Sequence, residues 1–363
     1  MILTQKTIKV GIVDDSPFMR KLLTDILNSD KGIEVIATAK NGKEAIEMIT
    51  TLKPDIITLD IEMPIMNGID TLKYIMEYNP LPVVMLSSLT YTGGAATITA
   101  LELGAVDFIQ KPSSIFMING ENSKAEIIRK VKNSYRAKVI HSPIIPCKVN
   151  CENVTRPNKA LRNAKGDCVN TIVAIATSTG GPRALQSIIP LIPKHFPGAF
   201  LIVQHMPPGF TKSLAERLNS ISEVTVKEAE DSEKIETGHV YIAPGNYHLG
   251  VKKDYSNQLY IDLSQEPPIL GHRPSADLLF KSLSQGILTN TRIIGVIMTG
   301  MGSDGTKGLK ALKEKASPYI IAQSEESCVV YGMPKSAVNS GVVDEIVPLE
   351  GIMEAIVNRV GVS

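Results

Sequence analysis

The chain has no tryptophan, and aromatic residues make up only 5% of its 363 residues. An aromatic surface on which nucleic-acid bases stack is therefore not expected. The formal net charge is only +1, which argues against a protein whose whole surface binds nucleic acid or a membrane. Residues 1–6 contain no apolar signal region, and no apolar run reaches the length of a membrane span. We therefore predict a cytoplasmic protein.

Cysteine is also scarce, and its spacing indicates neither a disulfide framework nor a zinc site. The pair Cys147 and Cys151 lies in a polar segment with no second pair of metal ligands nearby. The four cysteines are Cys147, Cys151, Cys168 and Cys328. This usage fits a reduced cytosolic protein.

Hydrophobic residues make up 43% of the chain, enough to build a sizeable core, and 363 residues suit two domains. Apolar strands alternate with amphipathic helices from residue 7 to about 118, and five such units predict a doubly wound parallel sheet. The predicted strands span 8–13, 33–38, 55–60, 82–87 and 105–109. The predicted helices span 17–29, 42–51, 68–77, 94–103 and 124–138.

A linker over residues 139–168 is predicted, because this segment contains three prolines and no hydrophobic periodicity. From Lys124 to Lys165, Lys and Arg outnumber Glu. We interpret this basic character as a solvated helix face and linker, in preference to a docking surface for an acidic partner. The predicted domains are residues 7–123, the helix end and linker 124–168, and residues 169–359.

The second domain is again predicted to be α/β and mostly parallel. A β-rich insertion is predicted near 224–263. The predicted strands span 171–176, 199–204, 239–243, 292–298 and 319–322, and the predicted helices 182–189, 211–219, 275–284 and 305–314.

Charged residues follow three predicted strands of the first domain. Asp14 and Asp15 follow the first strand, Asp60 ends the third, and Lys111 follows the last. Ligands of open α/β sheets bind beyond the carboxyl ends of the strands, so these groups are expected to converge there. Clustered carboxylates bind Mg²⁺ through oxygen, and the ion could neutralise a phosphoryl group on one of them. The pattern predicts control by phosphorylation.

Three polar residues lie at the carboxyl ends of predicted strands in the second domain. Ser178 lies in a glycine turn before a helix that opens with Pro182, so backbone N–H groups face a developing negative charge. His205 follows the next strand and Asp304 a later one. Each alone suits a cap or turn, but together they form a nucleophile, a base and its orienting group.

Two other histidines could instead serve as the base, and the sequence does not rank them. His248 and His272 both lie in predicted loops that could line the cleft. Arg273 is either a clamp for acidic substrate groups or a partner in a structural ion pair.

Four segments of the second domain resemble the catalytic domain of the chemotaxis protein-glutamate methylesterase family, CheB, and residues 7–123 resemble its response-regulator receiver domain. The segments are 176–182 (ATSTGGP), 203–206 (VQHM), 272–277 (HRPSAD) and 298–305 (MTGMGSDG). The resemblance implies a flavodoxin-like (βα)5 receiver followed by a doubly wound, mostly parallel α/β catalytic domain.

Roles for individual residues follow from this resemblance. In the catalytic domain, Ser178 is the expected nucleophile, His205 the base and Asp304 its orienting group, with the backbone N–H groups of Thr179 and Met301 as the oxyanion hole. In the receiver, Asp60 is the expected phosphoacceptor, and Asp14, Asp15 and Asp60 are expected to hold Mg²⁺. Lys111 pairs with the phosphoryl group, Ser87 is the switch hydroxyl and Phe108 the switch aromatic.

The implied activity is hydrolysis of glutamate methyl esters, and deamidation of glutamines, on methyl-accepting chemotaxis receptors. A chemotaxis histidine kinase would donate the phosphoryl group, and no cofactor is expected in the catalytic domain. The unphosphorylated receiver is expected to restrict access of the receptor to the catalytic cleft. The alternative is a response regulator whose output domain binds DNA or a nucleotide.

Overall fold

The structure is a computed structural model that describes residues 6–88, 91–111, 121–138, 169–285 and 291–361. It divides into two compact units, Met1–Pro143 and Ile144–Ser363. The predicted linker and Cys147, Cys151 and Cys168 lie outside the described residues.

The first unit contains a five-stranded parallel sheet in the order β2-β1-β3-β4-β5. Its strands are β1 (Ile8–Val13), β2 (Ile33–Ala39), β3 (Ile56–Asp60), β4 (Val83–Ser87) and β5 (Asp107–Gln110). Its helices are α1 (Pro17–Asn28), α2 (Gly42–Leu52), α3 (Gly68–Tyr78), α4 (Tyr91–Glu102) and α5 (Glu121–Tyr135). β3 and β4 are buried along their whole length, as expected for central strands covered on both faces.

Helix α5 belongs to the core of this unit. Its residues Ile127 and Val131 are buried in the same cluster as Leu23 and Leu27 of α1. The boundary that we predicted after residue 123 falls inside helix α5, which packs on α1 of the first unit.

The second unit contains a seven-stranded sheet, and every adjacent pair of its strands is parallel. Its order is β14-β13-β12-β6-β7-β9-β8. The strands are β6 (Thr171–Thr177), β7 (Ala199–Gln204), β8 (Thr225–Glu228), β9 (His239–Ile242), β12 (Arg292–Ile297), β13 (Tyr319–Gln323) and β14 (Glu345–Val347). The helices are α6 (Gly181–Ile188), α7 (Phe210–Ser220), α8 (Ala276–Leu283), α9 (Thr306–Lys315), α10 (Met333–Asn339) and α11 (Ile352–Val360).

The predicted β-rich insertion is smaller than expected. β8 and β9 belong to the main sheet, and only β10 (His248–Lys253) and β11 (Leu259–Ser264) form a separate antiparallel pair. The predicted fold class, two successive α/β units with parallel sheets, is confirmed.

The first strand of this unit, β6, lies between β12 and β7, so the chain leaves it first to one side and later to the other. A ligand crevice is expected at such a switch point, beyond the carboxyl ends of the strands. The segments that follow β6, β7 and β12 are therefore neighbours at one edge of the sheet.

Candidate functional site

Ser178 lies in the turn between β6 and α6 and is partly exposed. Its backbone N–H donates to the carbonyl oxygen of Thr299, 3.0 Å away, and Gly181 donates to its carbonyl oxygen at 2.8 Å. These bonds hold the turn in place directly before the N-terminus of α6. The positive end of a helix dipole favours negative charge at this position.

His205 and Asp304 come together at the same edge of the sheet. The Nε2 atom of His205 lies 2.7 Å from Oδ2 of Asp304. The backbone N–H of His205 also donates to the carbonyl oxygen of Thr177 at 3.2 Å, which places the histidine beside the residue that precedes Ser178.

Asp304 is almost completely buried, and backbone and side-chain donors surround its carboxylate. Oδ1 accepts from the Ser275 hydroxyl at 2.7 Å and from the Asp277 N–H at 3.1 Å, and Oδ2 accepts from the Ala276 N–H at 2.7 Å. Burial alone would raise the pKa of Asp304, but the bonds from His205, Ser275 and Ala276 outweigh it and lower that pKa to about 2. Asp304 is therefore a carboxylate at neutral pH.

Because ionised Asp304 only accepts, Nε2 of His205 must carry the hydrogen of their hydrogen bond. Nδ1 is buried and has no hydrogen-bond partner among the described residues. The His272 ring stacks on the His205 ring, with centroids 4.0 Å apart and planes 4° apart. In a neutral imidazole with this tautomer, Nδ1 is the ring nitrogen that can accept a proton.

His248 cannot take the role of base in this arrangement, because both of its ring nitrogens are occupied. Nδ1 accepts from the Ser275 N–H at 3.1 Å, and Nε2 lies 3.3 Å from the Pro267 carbonyl oxygen. Burial lowers the pKa of His248, so the ring is neutral at neutral pH. Its contacts are those of a residue that shapes the loop around Ser275.

Arg273 makes its hydrogen bonds to neutral acceptors, and its role as a clamp for acidic substrate groups stays a prediction. Its guanidinium donates to Oδ1 of Asn246, with the shorter bond at 2.5 Å, and to the carbonyl oxygens of Gln265 and Glu266 at 3.0 and 3.1 Å. These neutral acceptors show that Arg273 ties two loops together.

The two predicted oxyanion donors, Thr179 and Met301, lie in the turn after β6 and in the loop after β12. The carbonyl oxygen of Thr179 accepts from the hydroxyl of Thr299 at 3.0 Å, which links the Ser178 turn to the loop containing Met301. Among the described residues, no acceptor is bonded to the Met301 N–H. The Ser178 turn and the loop that contains Met301 are therefore joined through Thr299.

The sequence did not predict a role for Ser275 or Asp277, two residues that help to hold Asp304 and the helix after it in place. Ser275 bonds to Asp304, and Asp277 accepts from the Gly308 N–H at 2.7 Å. Both lie in the segment 272–277 that carries the family resemblance, but only the fold shows which partners they meet.

In the first unit, Asp14, Asp60 and Lys111 meet at the carboxyl edge of the sheet. The Lys111 ammonium lies 2.7 Å from Oδ2 of Asp60 and 2.9 Å from Oδ2 of Asp14. Burial raises the pKa of Asp60 to about 6, although the hydrogen bond from Lys111 acts in the opposite direction. Burial lowers the pKa of Lys111, but its bonds to Asp60 and Asp14 outweigh burial and raise it.

Asp15 completes a group of three carboxylates whose ligand atoms all lie within 4.8 Å of one another. Asp14 and Asp60 are buried, whereas Asp15 is exposed and leaves one side open. Three carboxylates face a single ammonium, so the pocket has an excess of negative charge. An all-oxygen set with this excess fits a hard divalent cation such as Mg²⁺.

The two predicted switch residues are both buried in this structure. The hydroxyls of Ser87 and Thr97 lie 2.6 Å apart, and both reach the carbonyl oxygen of Gly93. The Lys130 ammonium lies 4.9 Å from the centre of the Phe108 ring and donates to the Phe108 carbonyl oxygen at 2.6 Å.

No helix in the described part of the chain is long and apolar enough to cross a membrane.

Comparison with known proteins assigns each of the two units to a protein family. Residues 10–118 match the family model of the response regulator receiver domain, and residues 173–356 match that of the CheB methylesterase. The solved CheB methylesterase catalytic domain of Thermotoga maritima is 45% identical, with a TM-score of 0.50, and the match covers 54% of this chain and 100% of that one.

Two relatives align with this chain over nearly its whole length and nearly the whole of their own. The protein-glutamate methylesterase/protein-glutamine glutaminase of Halalkalibacterium halodurans is 48% identical over 355 residues, which cover 98% of this chain and 99% of the relative. The protein of the same name from Bacillus subtilis is 47% identical over 357 residues, which cover 97% and 98%. The chain therefore belongs to the protein-glutamate methylesterase/protein-glutamine glutaminase family, and it joins a response regulator receiver domain to a CheB methylesterase domain.

Proposed function

We propose that this protein is a phosphorylation-activated hydrolase that removes methyl groups from glutamate methyl esters, and deamidates glutamines, on methyl-accepting chemotaxis receptors. Methanol or ammonia is released, and the reaction adjusts receptor sensitivity. The bond of 2.7 Å between Nε2 of His205 and Oδ2 of Asp304 carries this proposal, because it leaves Nδ1 as a base at the edge of the sheet where Ser178 lies.

Ser178 is the proposed nucleophile. Nδ1 of His205 takes the hydroxyl proton as the serine oxygen bonds to the ester carbonyl carbon. The carbonyl oxygen becomes an oxyanion, and the backbone N–H groups of Thr179 and Met301 stabilise it. The protonated imidazole, held by ionised Asp304, then gives its proton to the departing methoxy group, and methanol leaves.

Water completes the cycle. His205 removes a proton from a water molecule, which attacks the acyl group on Ser178. The second tetrahedral species collapses, the proton returns to the serine oxygen, and the glutamate carboxylate is released. A glutamine amide follows the same sequence, with ammonia as the leaving group.

In the receiver, Asp60 is the proposed phosphoacceptor, and Lys111 pairs with the phosphoryl oxygens. Asp14, Asp15 and Asp60 would hold Mg²⁺, which would offset the charge of the incoming phosphoryl group. Ser87 and Phe108 are the proposed switch pair. The phosphodonor is a chemotaxis histidine kinase, and the reaction takes place in the cytoplasm on the receptor signalling helices.

Covalent labelling tests the catalytic half of the proposal. A fluorophosphonate probe followed by peptide mass spectrometry should mark Ser178, and Ser178→Ala should abolish the mark. Ser187, whose hydroxyl donates to the Arg183 carbonyl oxygen at 3.2 Å, provides the matched control, and Ser187→Ala should label normally. Binding of a nucleotide or DNA without labelling of Ser178 would favour the alternative output functions.

Phosphorylation tests the receiver half. Acetyl phosphate with Mg²⁺ should modify the wild type and leave Asp60→Asn unmodified. Asp25 pairs with Lys21 on the exposed face of α1 and serves as the control, so Asp25→Asn should react as the wild type does. Equal modification of wild type and Asp60→Asn would place the acceptor elsewhere.

A further inference from the structure

Gln204 is a buried amide placed between the nucleophile and the base. It is the last residue of β7, only 2% of its surface is exposed, and it immediately precedes His205. Sequence reasoning assigned it no role, and the proposed reaction has not used it.

The side chain of Gln204 makes three directed hydrogen bonds. Nε2 donates to the carbonyl oxygen of Ser178 at 3.0 Å and to that of His205 at 3.3 Å. Oε1 accepts from the hydroxyl of Thr177 at 2.5 Å. One planar amide therefore joins the backbone of the nucleophile, the backbone of the base and the end of β6.

The space around this amide is tightly limited. A Cβ atom on Gly181, at the start of α6, would overlap Oε1 of Gln204 and lie 2.8 Å from the Thr177 side chain. The helix that provides N–H groups behind Ser178 therefore lies directly against the amide. A shift of the amide would be transmitted to the Ser178 turn and to α6.

A buried glutamine does not need hydrogen bonds as short as those of Gln204. Two other buried glutamines of the same unit show this. Nε2 of Gln258 reaches carbonyl oxygens only at 3.5 and 3.4 Å, and Nε2 of Gln186 has no partner among the described residues. The amide of Gln204 makes shorter bonds, and two of its three partners belong to residues of the proposed reaction.

We propose that Gln204 is a positioning residue, which fixes the distance between Ser178 and His205 through their carbonyl oxygens. This inference rests on the proposed roles of these two residues. The effect belongs to the chemical step, since Gln204 is buried and does not reach a receptor docked at the surface. A displacement of about 1 Å at reacting groups can lower turnover by about 100-fold.

Two substitutions separate positioning from simple filling of space. Gln204→Met keeps an unbranched side chain but removes the three hydrogen bonds. Gln204→Glu keeps the volume and an acceptor for Thr177, but it places an oxygen where Nε2 faced two carbonyl oxygens. Gln258→Met, in the same unit and with the same chemical change, is the control. The full-length wild type and the three full-length variants are compared by thermal unfolding, by the rate of fluorophosphonate labelling, and by kcat and KM on methylated receptor.

We expect both Gln204 variants to label about 100-fold more slowly and to lose kcat by a similar factor, with KM within about twofold of the wild type. Gln258→Met should unfold at a lower temperature yet label at the wild-type rate. A folded Gln204→Glu that labels at the wild-type rate would overturn the inference, as would a rise in KM with kcat unchanged. Absence of Ser178 labelling in the wild type would instead contradict the proposed function.

Discussion

Asp304 has two tasks in this structure. Its carboxylate orients His205, and it also accepts the backbone N–H groups of Ala276 and Asp277 at the start of α8. A helix N-terminus stabilises a nearby negative charge, so the helix and the histidine reinforce the same ionised state. Substitution of Asp304 should therefore affect both turnover and stability.

We predict that Asp304→Asn lowers kcat by about 10³- to 10⁴-fold, because the amide no longer fixes the His205 tautomer. The chain offers a control in Asp277→Asn. Asp277 is also buried and also caps a helix, but it contacts the Gly308 N–H instead of His205. Both variants should unfold at a lower temperature than the wild type. The steady-state rate of methanol release should fall by the stated factor only for Asp304→Asn. Comparable kcat values for the two variants would refute the assigned role of Asp304.

His248 is predicted to make stability depend on pH. Burial lowers the pKa of His248 below its ordinary value of 6.5, so the folded state resists protonation. A depressed pKa contributes stability at pH above the unfolded value, and that stability is lost as the pH falls below it. Protonation would also remove the acceptor of the Ser275 N–H, and Ser275 in turn bonds to Asp304.

The wild type should therefore lose more free energy of unfolding between pH 7 and pH 5 than His248→Gln, whose amide does not titrate. Urea unfolding at a series of pH values measures the difference. Parallel curves for the two proteins would show that His248 does not contribute this dependence.

The sequence predicts Ser178, His205 and Asp304 as a group because each follows a recognisable apolar strand, and parallel strands end at the same edge of a sheet. The structure brings His205 and Asp304 into hydrogen-bond contact, and the catalytic roles stay a prediction. The sequence does not predict Gln204 or Ser275 in this way, since a single polar residue in a sequence does not reveal which buried group it will meet. The exclusion of His248 likewise required its two hydrogen bonds.

Helices α8 and α9 cap one another. Asp304, just before α9, accepts from the first N–H groups of α8, and Asp277 in α8 accepts from Gly308 in α9. The helices approach closely at this point, since a Cβ atom on Gly308 would lie 2.5 Å from the carbonyl oxygen of Asp277. The position of Asp304 depends on this contact.

Gly308→Ala should force the two helices apart, cost about 1–3 kcal/mol of unfolding free energy and reduce turnover. Gly351→Ala is the control, because the nearest atom to its added Cβ would lie 3.6 Å away, an ordinary contact distance. Thermal unfolding and methanol release provide the comparison. A Gly308→Ala protein as stable and as active as Gly351→Ala would contradict the tight packing of α8 on α9.

Long apolar segments were predicted well and short ones poorly. β6, β7 and β12 have six or seven residues and are almost entirely buried, so their composition marked them clearly. β14 has three residues, all at least partly exposed, and α10 has seven, so neither has enough length for a periodic pattern. Their place is set by contacts with β13 and its neighbours rather than by their own sequence.

The intact chain combines an acidic receiver pocket with a hydrolase site, and the proposed function couples them through phosphorylation. A two-state switch of this kind requires only a few kcal/mol of differential stability. On this proposal, fragment 165–363 should release methanol from methylated receptor faster than the unphosphorylated full-length protein. Equal rates would indicate that the receiver acts by assisting the reaction.

Methanol release from methylated receptor, measured with and without acetyl phosphate and Mg²⁺, tests both halves of the protein together. We predict slow release by the unphosphorylated wild type, a marked increase with the phosphodonor, no increase for Asp60→Asn, and a loss of several orders of magnitude for Ser178→Ala under both conditions. Release by a correctly folded Ser178→Ala protein at close to the wild-type rate would contradict the assignment of this chain as a serine-dependent, phosphorylation-controlled methylesterase.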